Sequence, residues 1–337
     1  MRADIVTEVL QTFHLSGAIF FDVDASAPWV SEAPHARQLA PYVMPGAQHV
    51  IEYHVVTEGT CWAALTESGT DPVLLGPGSV VVFPHGDPHV LSSAPGMRAK
   101  PNLEAFRRPN GDERPPFHIE QYGGGRDRVG LICGFLGWEA LPFNPLIGAL
   151  PRCLHVADAY TEEDGWLRTL IAATIKESRQ RRVGGGGVLS RLSELIFIEA
   201  VRRYIEGLPS ESAGWFAALS VPSMRRAIHR LHGDPARHWT LAELAREVGV
   251  SRTVLIERFN TYLGMAPMTY LAKWRMQVAG GMLTTGSVPI AQVAAEVGFD
   301  SEASFSRAFK RSTGMPPAKW RQQRVAREVW HNEAAWS

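Results

Sequence analysis

The C-terminal third of the chain uses one pattern twice. Leu244-Ala245-Arg246-Glu247-Val248-Gly249-Val250 returns 49 positions later as Val293-Ala294-Ala295-Glu296-Val297-Gly298-Phe299. Arg258-Phe259 returns near Arg307 and Phe309, and Gly264-Met265-Ala266-Pro267 returns 50 positions later as Gly314-Met315-Pro316-Pro317. Tyr270 and Trp320 follow at the same offset of 50. A repeat of this period is one supersecondary unit used twice, since each copy has the same apolar face to bury. The alternative is a plain helical bundle with an accidental repeat.

Each copy reads as a helix, a tight turn and a second helix. In the first, Thr240-Leu241-Ala242-Glu243 has the form of a capping box, in which hydroxyl and carboxylate satisfy each other's backbone N–H groups. Leu241, Leu244, Ala245 and Val248 make the inner face. Gly249 ends the helix, where glycine tolerates a left-handed conformation. Ser251 then caps a helix with Leu255 and Phe259 inward at i, i+4, and with Arg252, Thr253, Ile256, Glu257 and Asn260 outward. In the second copy Gly298 is the turn, Asp300 or Ser301 the cap and Phe305 with Phe309 the core, while Glu302, Ala303, Ser306, Arg307 and Lys310 face out. Such a unit is a helix-turn-helix, whose second helix enters the major groove of DNA. Two of them on one domain would reach successive grooves about 34 Å apart.

The charge balance supports this only when it is taken by segment. The 337 residues hold 34 Lys+Arg and 34 Asp+Glu, a net charge of zero, which by itself argues against a nucleic-acid partner. From Trp215 onward there are 16 basic and nine acidic residues, a net +7, and the first 214 residues carry −7. The zero is a cancellation between unlike halves.

Residues 221–325 resemble the DNA-binding domain of the AraC/XylS transcription regulators. The match includes Ala294-x-x-Val297-Gly298-Phe299-x-Ser301-x-x-x-Phe305-Ser306-Arg307-x-Phe309-Lys310 and the closing Gly314-x-x-Pro317. The resemblance implies seven helices, with a long one from Pro267 to Leu283, holding Lys273, Trp274 and Arg275, between the two units. It places base-facing residues at Thr253, Ile256 and Glu257, and at Glu302, Ala303, Ser306 and Arg307. Arg307 is the foremost of these, since Arg on guanine O6/N7 is the commonest specific contact. Glu257 and Glu302 would accept from cytosine N4 or stay clear of the phosphates. Arg252, Lys310 and Arg311 are expected on phosphates, where contacts position the protein without reading sequence. Arg258 has a structural alternative, with its head bonded inside the domain.

Residues 1–140 read as β. Turn signals such as Ala27-Pro28, Glu58-Gly59 and Gly76-Pro77-Gly78 separate short runs such as Val50–Val56 and Ser79–Phe83, the pattern of a sandwich or barrel. Phe106–Arg128 reads as a polar loop and Val129–Phe135 as a closing strand. Gly78-x5-Pro84-x-Gly86-x-x-His89 and Glu52-x6-Gly59 are similar to the two motifs of the cupin β-barrel, as found in AraC-associated cupin domains. In catalytic cupins a His-x-His pair joins the motif Glu and His on a metal; here Gly46, Ala47 and Gln48 occupy that stretch, which weighs against cupin enzyme chemistry. Glu52 and His54 share one strand face, His89 is expected from a neighbouring strand, and Cys133 could add a thiolate. These four are candidate ligand-binding residues, either polar lining of an effector cavity or ligands to zinc or another divalent metal. A redox role for Cys61 or Cys133 is a further alternative to simple burial. His49, His85 and His118 are expected to be solvated.

Between the two regions, apolar residues at helical spacing (Trp166 to Ile175, Leu189 to Tyr204) predict two helices broken at Gly184–Gly187. Their apolar faces would pack on the β domain or form a dimer interface. Three cysteines fit a reducing cytoplasm, the N-terminus with Asp4 and Glu8 ahead of Ala18–Phe21 is not that of a signal peptide, and no apolar run approaches a membrane span. The expected chain is therefore an α+β multidomain, cytoplasmic, non-enzymatic transcription regulator. It comprises a cupin β-barrel sensing domain (1–140), a helical connector with dimerisation of a homodimer as one of its readings (141–214), an all-α domain with two helix-turn-helix units (215–326) and a tail (327–337). Its partners would be double-stranded DNA, a small-molecule effector and, for an activator, RNA polymerase. The rivals are an architectural DNA binder with a merely oligomerising barrel, and a cupin metalloenzyme.

Overall fold

Among the described residues, ten strands form two sheets around one core in the N-terminal half. They are β1 (Leu15–Ser26), β2 (Val30–Ala33), β3 (His49–Gly59), β4 (Cys61–Leu65), β5 (Val73–Leu75), β6 (Val80–Phe83), β7 (His89–Ser92), β8 (Phe117–Tyr122), β9 (Arg128–Trp138) and β10 (Leu154–Val156). The six-stranded sheet runs β10-β6-β3-β9-β1-β8 and the four-stranded sheet β2-β7-β4-β5. Neighbours are antiparallel except β1 and β8, which pair parallel from Phe21↔Phe117 to Ser26↔Tyr122. This is a computed structural model, and it describes residues 9, 15–44, 47, 49–67, 71–106, 117–138, 143–157, 165–180, 182–209, 214–285 and 288–322. Asp4, Glu8, Gly46, Gln48 and the tail 327–337 lie outside the described residues.

Side chains alternate across a strand, so each central strand contributes to two faces. Val50, Val56, Leu131, Cys133, Phe135, Val81 and Phe83 point to the shared core between the sheets. Tyr53, of opposite parity, meets the helical region instead. Its hydroxyl lies 2.6 Å from Ser193 Oγ. Gly134 sits beside it because a Cβ there would fall 2.1 Å from the Tyr53 ring.

Two elements differ from the sequence reading of this half. The helix α1 (Ala36–Val43) lies within the region read as β; its buried Ala36, Leu39, Ala40 and Val43 follow helical spacing, which Pro41 obscured. The strand β8 lies within the stretch read as loop, because an edge strand that buries only alternate residues carries no apolar run.

The helices that follow are α2 (Pro145–Ala149), α3 (Trp166–Gln180), α4 (Gly185–Glu206), α5 (Trp215–Ser220), α6 (Pro222–Gly233), α7 (Leu241–Val248), α8 (Arg252–Leu263), α9 (Pro267–Thr285), α10 (Ile290–Glu296) and α11 (Glu302–Thr313). The chain divides into two units, one of residues 15–139 and 150–208, the other of 1–14, 140–149 and 209–337. The expected connector, 141–214, is thus shared out rather than separate. β10 joins the large sheet, α4 packs on β1, β9 and β10, and α2 groups with the helical unit. The apolar face of α4, with Leu189, Ile196, Phe197, Ala200 and Val201, is covered in this way. The break between α3 and α4 reaches only the first residue of the glycine run: Gly184 is the left-handed cap, and Gly185–Gly187 already belong to α4.

In the helical unit, seven helices run from Trp215 to Thr313 among the described residues. Thr240 and Glu243 form the capping box, and Ser251 and Ser301 accept from the N–H groups of Val254 and Ser304 at 3.2 Å. Leu255, Phe259, Phe305 and Phe309 are fully buried. The repeat is visible in aromatic packing: Tyr270 meets Phe259 edge-to-face at 5.9 Å, and Trp320 meets Phe309 in the same way at 5.4 Å. Tyr270 also accepts from Trp215 Nε1 at 3.0 Å and lies 2.8 Å from His232 Nε2, while the His232 ring stacks on Trp274 at 3.7 Å. No helix among the described residues is long and apolar enough to cross a membrane.

The two turn glycines differ in what surrounds them. Both have positive φ (+74° at Gly249, +77° at Gly298), so alanine at either should cost about 1–2 kcal/mol from backbone strain. A Cβ on Gly249 meets nothing within 4 Å, whereas one on Gly298 falls 2.5 Å from the Ala236 carbonyl oxygen. Gly298→Ala is therefore expected to cost about 1–3 kcal/mol more than Gly249→Ala, the usual range for overpacking. Denaturant unfolding of the two variants checks the difference.

Candidate functional site

Glu52 and His54 lie on the core face of β3, and His89 begins β7 in the opposite sheet. His89 thus comes from across the core rather than from the neighbouring strand that was expected. All three are buried, and one ligand atom from each lies within 4.8 Å of the others. His54 Nε2 is 2.9 Å from His89 Nε2, and Glu52 Oε2 is 3.8 Å from the same His89 atom. His89 Nδ1 donates to the Asp87 carbonyl at 2.9 Å, which leaves its Nε2 as an acceptor pointing into the cluster. Neither carboxyl oxygen of Glu52 has a hydrogen-bond partner, nor has His54 Nδ1.

Burial sets the charges here. It raises the Glu52 carboxyl well above its ordinary range, and it lowers His54 well below its own and His89 to about 4. The cluster is accordingly neutral near pH 7, since desolvation disfavours every charged form. Cys133 is the cross-strand partner of His54, but it does not join the group of ligand atoms. Burial, with Cys61 nearby, pushes its thiol up, and burial pushes Cys61 up to about 12. Both thiols are therefore held protonated.

The cluster lines a cavity of about 390 Å³ between the sheets. Phe21, Trp29, Leu91, Phe106 and Phe135 supply apolar wall, and Cys133 lines it as well. Phe21, Phe106 and Phe135 contact one another edge-to-face at 5.7–6.2 Å. The exposed Lys100 and Asn102 reach the cavity from a segment tied down by Glu32, which accepts both guanidinium bonds of Arg98 at 2.8 Å and the Ala99 N–H at 3.1 Å.

Three supporting residues escaped the sequence reading. The Phe83 ring stacks on His89 at 3.7 Å and fixes its plane. Asp87 holds the His89 tautomer through its carbonyl, and Arg152 grips the Asp87 carboxylate through Nε at 2.9 Å and Nη2 at 2.5 Å. Asp87 stands inside the Pro84-His85-Gly86-Asp87-x-His89 motif, so a signal was present for it; Arg152, 65 positions away, gave none. Of the histidines expected to be solvated, His49 is half-buried and stacked on Trp138 at 4.8 Å. His85 and His118 are exposed, yet His85 bonds the Leu150 carbonyl and His118 lies 3.3 Å from Glu120.

The donor set, two imidazoles and a carboxylate with an orphaned pair of oxygens, fits a zinc ion or another divalent metal. Glu52, His54 and His89 would hold it, and when bound it would supply a Lewis-acidic anchor for an oxygen or nitrogen of a second ligand.

The second candidate surface lies on α8 and α11. Arg252, Thr253 and Glu257 are exposed along α8, with Ile256 half-buried; Glu302, Ala303, Arg307, Lys310 and Arg311 are exposed along α11, with Ser306 half-buried. Each set occupies the face opposite the buried Leu255/Phe259 or Phe305/Phe309. Arg258 is different: its Nη1 donates to Ser223 Oγ, the structural alternative.

Over residues 4–206 the chain matches the family described as Cupin, and over residues 244–323 the one described as Helix-turn-helix domain. It is similar to an AraC-like transcription regulator of Streptomyces lividans, 32% identical over 279 residues that span 82% of this chain and 88% of that protein. It is also similar to the HTH-type transcriptional regulator AlkR of Acinetobacter baylyi, 25% identical over 323 residues, 95% of this chain and 99% of that one. Among solved structures, the DNA-binding domain of AdpA in complex with a target DNA is 27% identical and covers 32% of this chain and 95% of its own, with a TM-score of 0.30.

A buried polar group without a partner costs about 1–3 kcal/mol. Glu52→Met, of similar volume and without the carboxyl, is therefore expected to stabilise the chelator-treated, ligand-free chain by an amount in that range. Denaturant unfolding of wild type and variant provides the comparison, and destabilisation would show that the carboxyl is internally satisfied.

Proposed function

The chain belongs to the AraC-like transcription regulators, with a cupin domain ahead of its helix-turn-helix domain, and from that premise we propose that a small molecule held in the barrel governs its binding to DNA. What carries this reading is the unpartnered Glu52 carboxyl in the wall of a largely apolar cavity. A stability cost retained in the wall of a cavity is what a binding site looks like before it is filled, because the occupant supplies the missing hydrogen bond. The fitting effector has an apolar, ring-sized body and one polar head, carried either directly by the Glu52–His54–His89 cluster or through a divalent metal there. A non-enzymatic role, homodimerisation, action in the cytoplasm and, for an activator, contact with RNA polymerase belong to the same proposal.

DNA reading is assigned to α8 and α11 together. Thr253, Ile256 and Glu257, and Glu302, Ala303, Ser306 and Arg307, face base edges; Arg252, Lys310 and Arg311 neutralise phosphates. Control requires that the effector bind one conformational state better than another, since equal affinity shifts nothing. Genome-wide mapping of binding sites with and without candidate effectors tests the whole reading. Occupancy at defined sites that changes with one compound supports it; an unchanged map with every compound that stabilises the barrel favours the architectural binder.

Arg307→Ala is expected to cost about 1–3 kcal/mol on the cognate site and little on random DNA, as loss of a base contact should. Lys310→Ala should weaken both and reduce the salt slope by about 1, as loss of a phosphate contact should. Fluorescence anisotropy across a salt series separates the two, and equal loss on both DNAs for Arg307→Ala would move it to the phosphate set.

A further inference from the structure

The two helix-turn-helix units meet beside Arg275. α9 packs on α6 and α8 of the first unit and on α10 and α11 of the second. From its middle, Arg275 donates through Nε to the Pro235 carbonyl at 2.7 Å and through Nη2 to the Arg237 carbonyl at 2.9 Å. These carbonyls belong to the 234–239 loop that leads into α7. The same guanidinium lies 6.0 Å from the ring of Phe299, in the turn of the second unit. Gly298 brings that turn's backbone against the same loop, close enough that a Cβ would fall 2.5 Å from the Ala236 oxygen and 2.7 Å from Arg275 Nη2.

The loop is itself rigidly attached to the first unit. Trp239 is buried and donates from Nε1 to the Asp234 carbonyl at 3.0 Å, and Arg237 stacks on its ring at 3.8 Å. Arg237 also pairs with Glu247 on α7 at 2.8 Å. The Arg275 guanidinium is half-buried, with Nε and Nη2 bonded to backbone carbonyls. An arginine placed in this way acts through its rigid fork, since two carbonyls at fixed spacing require two donors at fixed spacing.

We propose that Arg275 is a positioning residue that fixes the second helix-turn-helix unit against the first, and so sets the spacing between the two DNA boxes read together. The proposal rests on the reading that α8 and α11 both enter DNA. The expected consequence is a defect in spacing without a defect in either recognition helix.

The test uses the full chain and a duplex that wild type selects from a random library. Derivatives of that duplex have either box scrambled, or the spacer changed by one or two base pairs. Arg275→Gln is expected to lower affinity for the two-box duplex about tenfold or more, the scale of two charged hydrogen bonds lost. Binding to each single-box duplex should change less than about twofold, the range of an additive, uncoupled site. The spacer preference should flatten, and the salt slope should stay unchanged. Equal loss on all duplexes, with a lowered unfolding midpoint, would make Arg275 a fold residue only; a slope reduced by about 1 would make it a phosphate contact. Either result overturns the proposal. A wild type that binds one box as tightly as two would overturn the two-helix reading, and the proposal with it. Should the Gln variant not fold, Arg275→Lys keeps the charge but spans one carbonyl at a time, and it should show the same flattened preference; a spacer profile like that of wild type would overturn the proposal.

Discussion

β3 is buried on both of its faces, and much of the barrel follows from that. A strand covered on one side would leave its alternate residues, here Tyr53 and Val55, exposed to water at a cost. Covered on both, it must assign each parity a different task. Glu52 and His54 face the cavity with the core residues of the partner sheet, and Tyr53 faces Ser193 on α4. Any displacement of β3 caused by an occupant beside Glu52 therefore reaches a buried hydrogen bond one residue further along the strand. Packed interiors transmit such shifts because they contain little space in which to absorb them. The close approach of Gly134 to the Tyr53 ring leaves the least slack at this point.

The helical unit solves a different problem with the same economy. Two copies of one motif bury equivalent residues, but equivalence does not extend to their surroundings. Gly249 stands clear, whereas Gly298 abuts the loop of the first unit. Tyr270 is tied to Trp215 and His232, whereas Trp320 meets Phe309 edge-to-face. Each copy folds by its own rule, and the differences mark where the copies touch one another or the rest of the unit.

The double motif was legible because its signals are local. Capping residues, turn glycines and i, i+4 aromatics act within a dozen positions, and the repeat states them twice. Glu52, His54 and His89 were legible for a similar reason, as two short motifs hold all three. The sequence did not carry the pairing of distant strands. That His89 faces Glu52 across two sheets, that Arg152 steadies it through Asp87, and that Phe83 stacks beneath it depend on contacts between segments far apart in the chain. β8 and α1 were missed because an edge strand and a proline-interrupted helix weaken the periodicity that reveals the other elements. For the stretch read as a connector, helical spacing shows that a face is buried but not against what. Its match to the cupin family through residue 206 and its packing on β1, β9 and β10 place α4 with the barrel.

The charge partition then limits how the two halves can communicate. The cluster beside the cavity is neutral by burial, so a neutral occupant adds no charge. The +7 of the DNA-binding half is set by its own residues. Under the proposed control, an effector alters DNA binding by moving backbone, which changes the geometry of the reading helices or the pairing of two copies. Electrostatics then provides the attraction to phosphate, the spacing of α8 and α11 selects where that attraction becomes specific, and the barrel acts on the spacing or the pairing. A signal of this kind alters specific binding more than non-specific binding, because only the former depends on both helices fitting their grooves at once.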